Sequence, residues 1–126
     1  MARILLIEDD PINIELYKVY LENNGHEIIV CTNGNTGIDT MLTQIPDLLI
    51  LDLMLPDMSG DEIYDMIKKI PSVQNIPVIL VTAFVHVNQY VDKFPRLPKK
   101  CFLHKPIIFP YLIKLIDELL TIETEN

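Results

Sequence analysis

Residues 47–60 read Asp47-Leu-Leu-Ile-Leu-Asp52-Leu-Met-Leu-Pro-Asp-Met-Ser-Gly60, and the reading of this stretch decides the fold. An apolar run, Leu48-Leu49-Ile50-Leu51, stops at a carboxylate, Asp52. A loop with Pro56, Asp57 and Gly60 follows. A strand that is apolar at every position has both faces buried, as in a parallel sheet covered by helices. In such sheets the functional crevice lies beyond the carboxyl ends of the strands. Asp52 stands at such an end. A lone aspartate there is more often the start of a turn, so the other strand ends carry the decision.

Upstream, Ile4-Leu5-Leu6-Ile7 is a second short buried-type strand, running into Glu8-Asp9-Asp10-Pro11. Proline suits the first turn of a helix and acidic residues suit its N-terminus. A helix is predicted over about 12–24, with Leu16, Tyr17, Tyr20 and Leu21 as its apolar stripe. Asn24-Gly25 ends it, with the glycine as a left-handed cap. His26–Cys31 reads as a strand, Asn33-Gly34-Asn35 as a turn, and Thr36–Gln44 as a helix burying Ile38, Met41, Leu42 and Ile45. Downstream, Ile63, Met66, Ile67 and Ile70 predict a third helix that ends at Pro71-Ser72. Pro77–Val81 is a fourth strand that stops at Thr82-Ala83. Residues 84–100 predict a short or irregular fourth helix, with Val85, Val87, Tyr90, Val91 and Phe94 on one face, cut short by Pro95 and Pro98. Cys101–His104 is a fifth strand before Lys105-Pro106. The last helix starts near Pro110 and buries Leu112, Ile116, Leu119 and Leu120. Strands and helices alternate throughout. That order implies an α/β fold: a five-stranded parallel sheet, doubly wound, with right-handed crossovers and helices on both faces.

A chain of 126 residues that is 49% hydrophobic is one domain with a real core. No apolar stretch reaches the ~18 residues that cross a membrane. The N-terminal apolar run falls short of the roughly 7–15 residues of a signal h-region. A cytoplasmic protein without membrane insertion is expected. Cys31 and Cys101 do not make a disulfide framework and read as two buried thiols. The net charge of −8 argues against nucleic acid as a direct partner, because phosphate binding needs a basic face. It permits metal cations and basic protein surfaces. Glu8, Asp9 and Asp10 are consecutive, and Asp52 and Asp57 flank one loop. Like charges brought together need a neutraliser, and Mg²⁺ is the usual one for oxygen ligands.

Four features fall at carboxyl ends of strands: Glu8-Asp9-Asp10, Asp52, Thr82 and Lys105. Each alone has a plain structural explanation: a helix-start acidic cluster, a turn, an N-cap, a surface lysine. Their coincidence on one edge of one sheet points to phosphoryl transfer to a carboxylate. An aspartate can act as nucleophile and form an acyl phosphate. The transfer is mostly positioning and charge neutralisation. Asp9 and Asp52 would hold Mg²⁺, Lys105 would add positive charge, and the Thr82 hydroxyl would donate to a phosphoryl oxygen. His26, His86 and His104 are scattered, and no phosphate-cradling loop follows the first strand, so nucleotide binding has no support.

Ile7-Glu8-Asp9-Asp10, the stretch Leu51–Gly60, Val81-Thr82-Ala83 and Lys105-Pro106 together resemble the response regulator receiver domain of two-component signalling. The resemblance runs over nearly the whole chain, residues 1–126, in order. It implies the flavodoxin-like strand order 2-1-3-4-5, which separates Cys31 and Cys101 too widely to bridge. It implies that Asp52 is the phosphoacceptor, taking a phosphoryl group from a phosphohistidine on a sensor histidine kinase or phosphotransfer protein. Mg²⁺ would be held by Asp9, Asp52 and the backbone carbonyl of Met54, with Glu8 acting through a water; Asp10 lies one position past the acidic pair. Thr82 and Phe102 would be the switch pair, Lys105 the second cation, and the Lys105-Pro106 bond cis. The output surface would be the face of the fourth helix, fifth strand and fifth helix, binding a downstream protein through a population shift. The chain would catalyse its own phosphorylation and slow dephosphorylation, with no other substrate.

Thr82 and Lys105 are 23 positions apart, about one more than the commonest family spacing, and Phe94-Pro95-Arg-Leu-Pro98-Lys-Lys100 departs from the family's small-residue approach to the fifth strand. Phe102 has no phenolic hydroxyl. Met54 and Phe84 are bulky where the family's side chains flank the phosphoryl group, which predicts a long-lived aspartyl phosphate. The chain ends just past the last helix, so a stand-alone receiver acting by protein contact is expected; the alternative is a receiver excised from a larger protein, although Met1 shortly before the first strand suggests a natural start. Ile107, Ile108 and Phe109 form either a partner or dimer patch or packing under the last helix. Two rivals remain. A haloacid dehalogenase-like phosphohydrolase would need a second aspartate where Met54 stands. An unphosphorylated interaction module would share the fold without the chemistry.

Overall fold

A computed structural model of the chain describes residues 2–83, 94 and 97–125, with side chains to residue 121. The elements are β1 (Arg3–Ile7), α1 (Pro11–Asn23), β2 (Glu27–Cys31), α2 (Gly34–Thr43), β3 (Leu48–Asp52), α3 (Gly60–Lys68), β4 (Val78–Thr82), a 3₁₀ turn (Lys99–Cys101), β5 (Phe102–His104) and the C-terminal helix α4 (Phe109–Glu125). The fourth helix predicted over 84–100, His86 and the Phe84 position lie largely or wholly outside the described residues.

The strands form one parallel sheet in the order β2-β1-β3-β4-β5. The apolar runs of β1, β3 and β4 explain it, because their alternate side chains feed two separate cores. Leu5, Ile7, Leu49, Leu51 and Leu80 point to the face of α2 and α3. Ile4, Leu6, Leu48, Ile50 and Ile79 point to the face of α1 and α4. Each such side chain contributes about 1.5–3 kcal/mol by leaving water, so the three central strands anchor both layers. The edge strand β2 is only half-buried over most of its length. Cys31 and Cys101 are free and buried near opposite edges of the sheet.

Helix boundaries follow their caps. The Asp10 side chain accepts the Ile12 amide at 2.9 Å, and Pro11 opens α1. Gly25, with φ +84°, ends that segment as expected. Asn33 caps α2 by accepting the Thr36 amide at 2.9 Å, so Gly34 and Asn35 are the first helical turn rather than part of a turn before it. Ser59 caps α3. Gly60 opens α3 under a tight constraint: a Cβ there would lie 2.8 Å from the Cα of Leu53.

Three helix faces differ from expectation. In α1 the buried residues are Ile14, Tyr17 and Leu21, while Leu16 and Tyr20 face outward. In α2, Gly34, Gly37 and Met41 are buried, while Leu42, and Ile45 just past the helix, are exposed, because the helix lies close against Ile7 and Met58. In α3, Tyr64 is buried and Met66 is not. Phe94 is fully buried, its ring 4.9 Å from Tyr64 and 5.6 Å from Phe102. It is thus a core residue.

Candidate functional site

The sheet register sets Ile7 level with Leu51 and Thr82 level with His104. The residues that follow these strands therefore meet at one edge. Glu8 directly follows β1 and is 1% exposed; Asp52 closes β3 and is 5% exposed; Thr82 closes β4 and is 1% exposed. The Lys105 amide donates to the Thr82 carbonyl at 2.8 Å, and the Lys105-Pro106 bond is cis, as the family resemblance implied.

The Lys105 ammonium joins the strand ends. Its Nζ donates to Asp52 Oδ2 at 2.7 Å and to Glu8 Oε1 at 3.2 Å. The other Asp52 oxygen, Oδ1, accepts the Met54 amide at 2.9 Å. Glu8 is saturated with donors: Oε2 accepts the amides of Asp9 and Asp10 at 3.0 and 3.3 Å, and Oε1 also accepts Asn13 Nδ2 at 3.3 Å. Burial lifts the Glu8 carboxyl above its usual range, the neighbouring Asp52 adds to this, and Lys105 opposes it more weakly. Burial alone would lower the Lys105 ammonium, but the bonds and charges of Asp52 and Glu8 outweigh that and raise it. Burial, with the charges of Glu8 and Asp52, also raises the Tyr17 phenol, which stays protonated.

Carboxylate oxygens of Glu8, Asp9 and Asp52 lie within 4.8 Å of one another. Among the described residues, three carboxylates meet one ammonium, so ionised they leave two negative charges uncompensated. The ligand atoms that converge among these residues are carboxylate oxygens, and Asp9 faces solvent. This set fits a hard divalent cation. Asp57, in contrast, does not belong to it. Its carboxylate turns away and accepts the amides of Gly34 and Asn35 at 2.7 and 2.9 Å. Asp10 is a helix cap. The Met54 side chain is exposed beside the site, and Phe102 is buried against Phe94. Asn13 was missed by sequence reasoning; its signal is a polar residue one turn past the acidic run.

One bank of the site is apolar. A groove of about 360 Å³ runs between α1 and the segment after β5, lined by Asn13, Leu16, Tyr17, Lys105, Pro106 and Phe109 among others. Phe109 stacks on Tyr20 at 4.4 Å and meets Tyr17 edge-on at 5.4 Å. Ile107 packs onto the core, while Ile108 is 71% exposed. The 107–109 stretch is therefore divided between packing and surface.

The response regulator receiver domain pattern matches residues 4–117. The polar-differentiation response regulator DivK of Brucella anthropi is 31% identical over 117 residues, which are 93% of this chain and 94% of that protein. Among solved structures, the signal receiver domain of a histidine kinase from Syntrophus aciditrophicus is 29% identical, with a TM-score of 0.83, covering 96% of this chain and 91% of that one. A CheY-like receiver domain protein from Methanospirillum hungatei is 25% identical, with a TM-score of 0.86, over 100% and 99% of the two chains. The chain belongs to the response regulator receiver family and is a receiver domain of two-component signalling. Receiver domains generally bind Mg²⁺ at an acidic pocket and interact with histidine kinases or phosphotransfer proteins and with downstream targets. The phosphohydrolase rival is set aside by this membership. No described helix is long and apolar enough to cross a membrane.

Proposed function

We propose that residues 1–126 act as one receiver unit in the cytoplasm, that Asp52 accepts a phosphoryl group from a phosphohistidine, and that the acceptor state is read by a downstream protein rather than by nucleic acid. The observation that carries this is the Lys105 ammonium, held at 2.7 Å from a buried Asp52 carboxylate at the mouth of a cation-fitting acidic cluster. A bond forms between an Asp52 oxygen and phosphorus as the phosphorus–nitrogen bond breaks, and the electron pair returns to the imidazole nitrogen. Lys105 orients Asp52 and sits where negative charge on the incoming group needs compensation. Thr82, buried at the end of the next strand, would donate its hydroxyl to a phosphoryl oxygen. Asp9, Asp52 and the Met54 carbonyl would hold Mg²⁺ directly, and Glu8, whose oxygens already accept four protein donors, would act through a water. Mg²⁺, when bound, would neutralise charge on the carboxylates and on the transferring group.

The phosphodonor would seat on the apolar bank. Ile12 and Leu16 of α1 are exposed there, Leu16 lining the groove that reaches Lys105, and a donor presenting its histidine to Asp52 would cover that bank. The output face would be the described part of β5 and α4 together with the preceding segment, with Thr82 and Phe102 as the switch pair.

The test is intact-mass spectrometry after incubation with acetyl phosphate and Mg²⁺, beside Asp52→Asn and a metal-free control. One phosphoryl adduct is expected, absent from both controls. No adduct on the wild type would leave a receiver-shaped interaction module instead.

A further inference from the structure

The loop between β3 and α3 is the root of the acceptor site, and it is fastened at its far end. Near the root, the Met54 amide bonds Asp52, and the Gly60 amide donates to the Leu53 carbonyl at 2.9 Å. An antiparallel bridge between Met54 and Ser59 closes the loop on itself. At its tip, both carboxylate oxygens of Asp57 accept backbone amides from the first turn of α2, Gly34 at 2.7 Å and Asn35 at 2.9 Å. Beside this bond Met58 lies against Gly34 so closely that a Cβ on the glycine would stand 2.2 Å from Met58 Cγ.

The cap of α2 does not rest on Asp57 alone. Asn33 already accepts the third amide of α2, and the second amide, on the exposed Asn35, can be satisfied by water, which leaves the buried Gly34 amide as the one that Asp57 serves for the helix. What the Asp57 bond adds is a tie between chain segments 22 and 23 positions apart, with one of them carrying the acceptor. An ionised carboxylate accepting two amides is among the stronger hydrogen-bonded arrangements, and it is directional.

We infer that Asp57 is a positioning residue for the divalent cation. Clamping the loop tip to α2 fixes the loop root, where Asp52 and the Met54 carbonyl would face the ion. This rests on the reading of the site given above. Residues that orient metal ligands without touching the ion commonly change affinity by about 10–100-fold when removed. Asp57 acts on the loop and not by a bond to one of the ligand carboxylates, so the lower end of that range applies.

The experiment measures Mg²⁺ affinity by isothermal titration calorimetry on wild type, Asp57→Ala and Asp57→Asn. Metal-free thermal unfolding is followed in parallel, and acetyl phosphate labelling is recorded over a Mg²⁺ series. Asp57→Ala is expected to raise the Mg²⁺ Kd about tenfold, with Asp57→Asn between it and wild type, because an amide offers one acceptor oxygen instead of two. The labelling rate is expected to return to within about twofold of wild type at saturating Mg²⁺. A lowered unfolding temperature with unchanged Mg²⁺ Kd would show Asp57 to be a helix-end brace only and overturn the inference. If Asp57→Ala does not fold, an unchanged Kd in Asp57→Asn overturns it equally. A wild type that binds no Mg²⁺ would overturn the site reading itself, and this inference with it.

Discussion

On one bank of the acidic site, α1 leaves Ile12, Leu16 and Val19 at the surface. On the other bank, the 53–59 loop is fastened by Asp57 to α2 and closed at its root by the Gly60 amide on the Leu53 carbonyl. The inner side of α1 is already served by Ile14, Tyr17 and Leu21, so folding does not account for the apolar stripe outside. The outer side of α3 is mainly polar, with Glu62 and Asp65 exposed and Met66 the exception. The difference separates two jobs around one carboxylate: one bank is built to be covered, the other to hold still.

Substitutions can break or sharpen that contrast. The largest effect is expected beneath the fixed bank. Ile63→Ala removes a fully buried side chain of α3 and is expected to cost about 2–5 kcal/mol in urea unfolding. Ile12→Ser, at a position 73% exposed, is expected to leave stability within about 0.5 kcal/mol. The same change should slow transfer from a histidine phosphotransfer protein about tenfold, a loss of about 1.4 kcal/mol, while acetyl phosphate labelling stays unchanged. Equal loss with both donors would mean that the α1 bank is not a docking surface. On the fixed bank, Met54→Asn exchanges an exposed apolar side chain beside the acceptor for one that can hold water. Aspartyl phosphate loss, followed by mass, is expected to quicken several-fold; an unchanged or slower rate would sink that role for Met54.

The smallest effect is the pH dependence of the Asp57 clamp. The Gly34 amide, then the Asn35 amide, holds this carboxyl below its ordinary value of 3.8. A carboxyl depressed in the folded state contributes stability that is present above the unfolded value and is lost as pH falls through the folded one. Wild type is therefore expected to unfold at a higher temperature than Asp57→Asn at pH 7, with the gap closing below pH 3.8. A gap that stays constant to pH 3 would show that the ionised form is not what the clamp uses.

Much of this was legible in the chain itself, for a physical reason. β1, β3 and β4 are apolar at both parities, which only a doubly covered parallel sheet satisfies, and parallel register then brings Glu8, Asp52, Thr82 and Lys105 to one edge. Periodicity was less informative for α1, because apolar residues lie on both of its sides and the stripe of Leu16 and Tyr20 competes with that of Ile14 and Leu21. In α2, glycines make the close contacts, and a glycine leaves no hydrophobic signal. The Asp57 bond was hidden because proximity in sequence put that carboxylate beside Asp52, whereas its partners belong to a helix more than twenty positions upstream. The Asn13 bond to Glu8 depends on a side-chain direction that only the fold fixes.

The two cores described above never merge through the middle of the sheet, since neighbouring side chains along each central strand leave on opposite sides. The sheet is in effect a partition wall with its chemistry mounted on the rim. A disturbance at Asp52 can be felt in both compartments, because the rim belongs to both. A disturbance deep in one compartment has a hydrogen-bonded backbone to cross before it reaches the other. Changes buried under α3 and changes buried under α4 should therefore add nearly independently, with the rim and Leu119 of α4, which packs against both cores, as the places where they are joined.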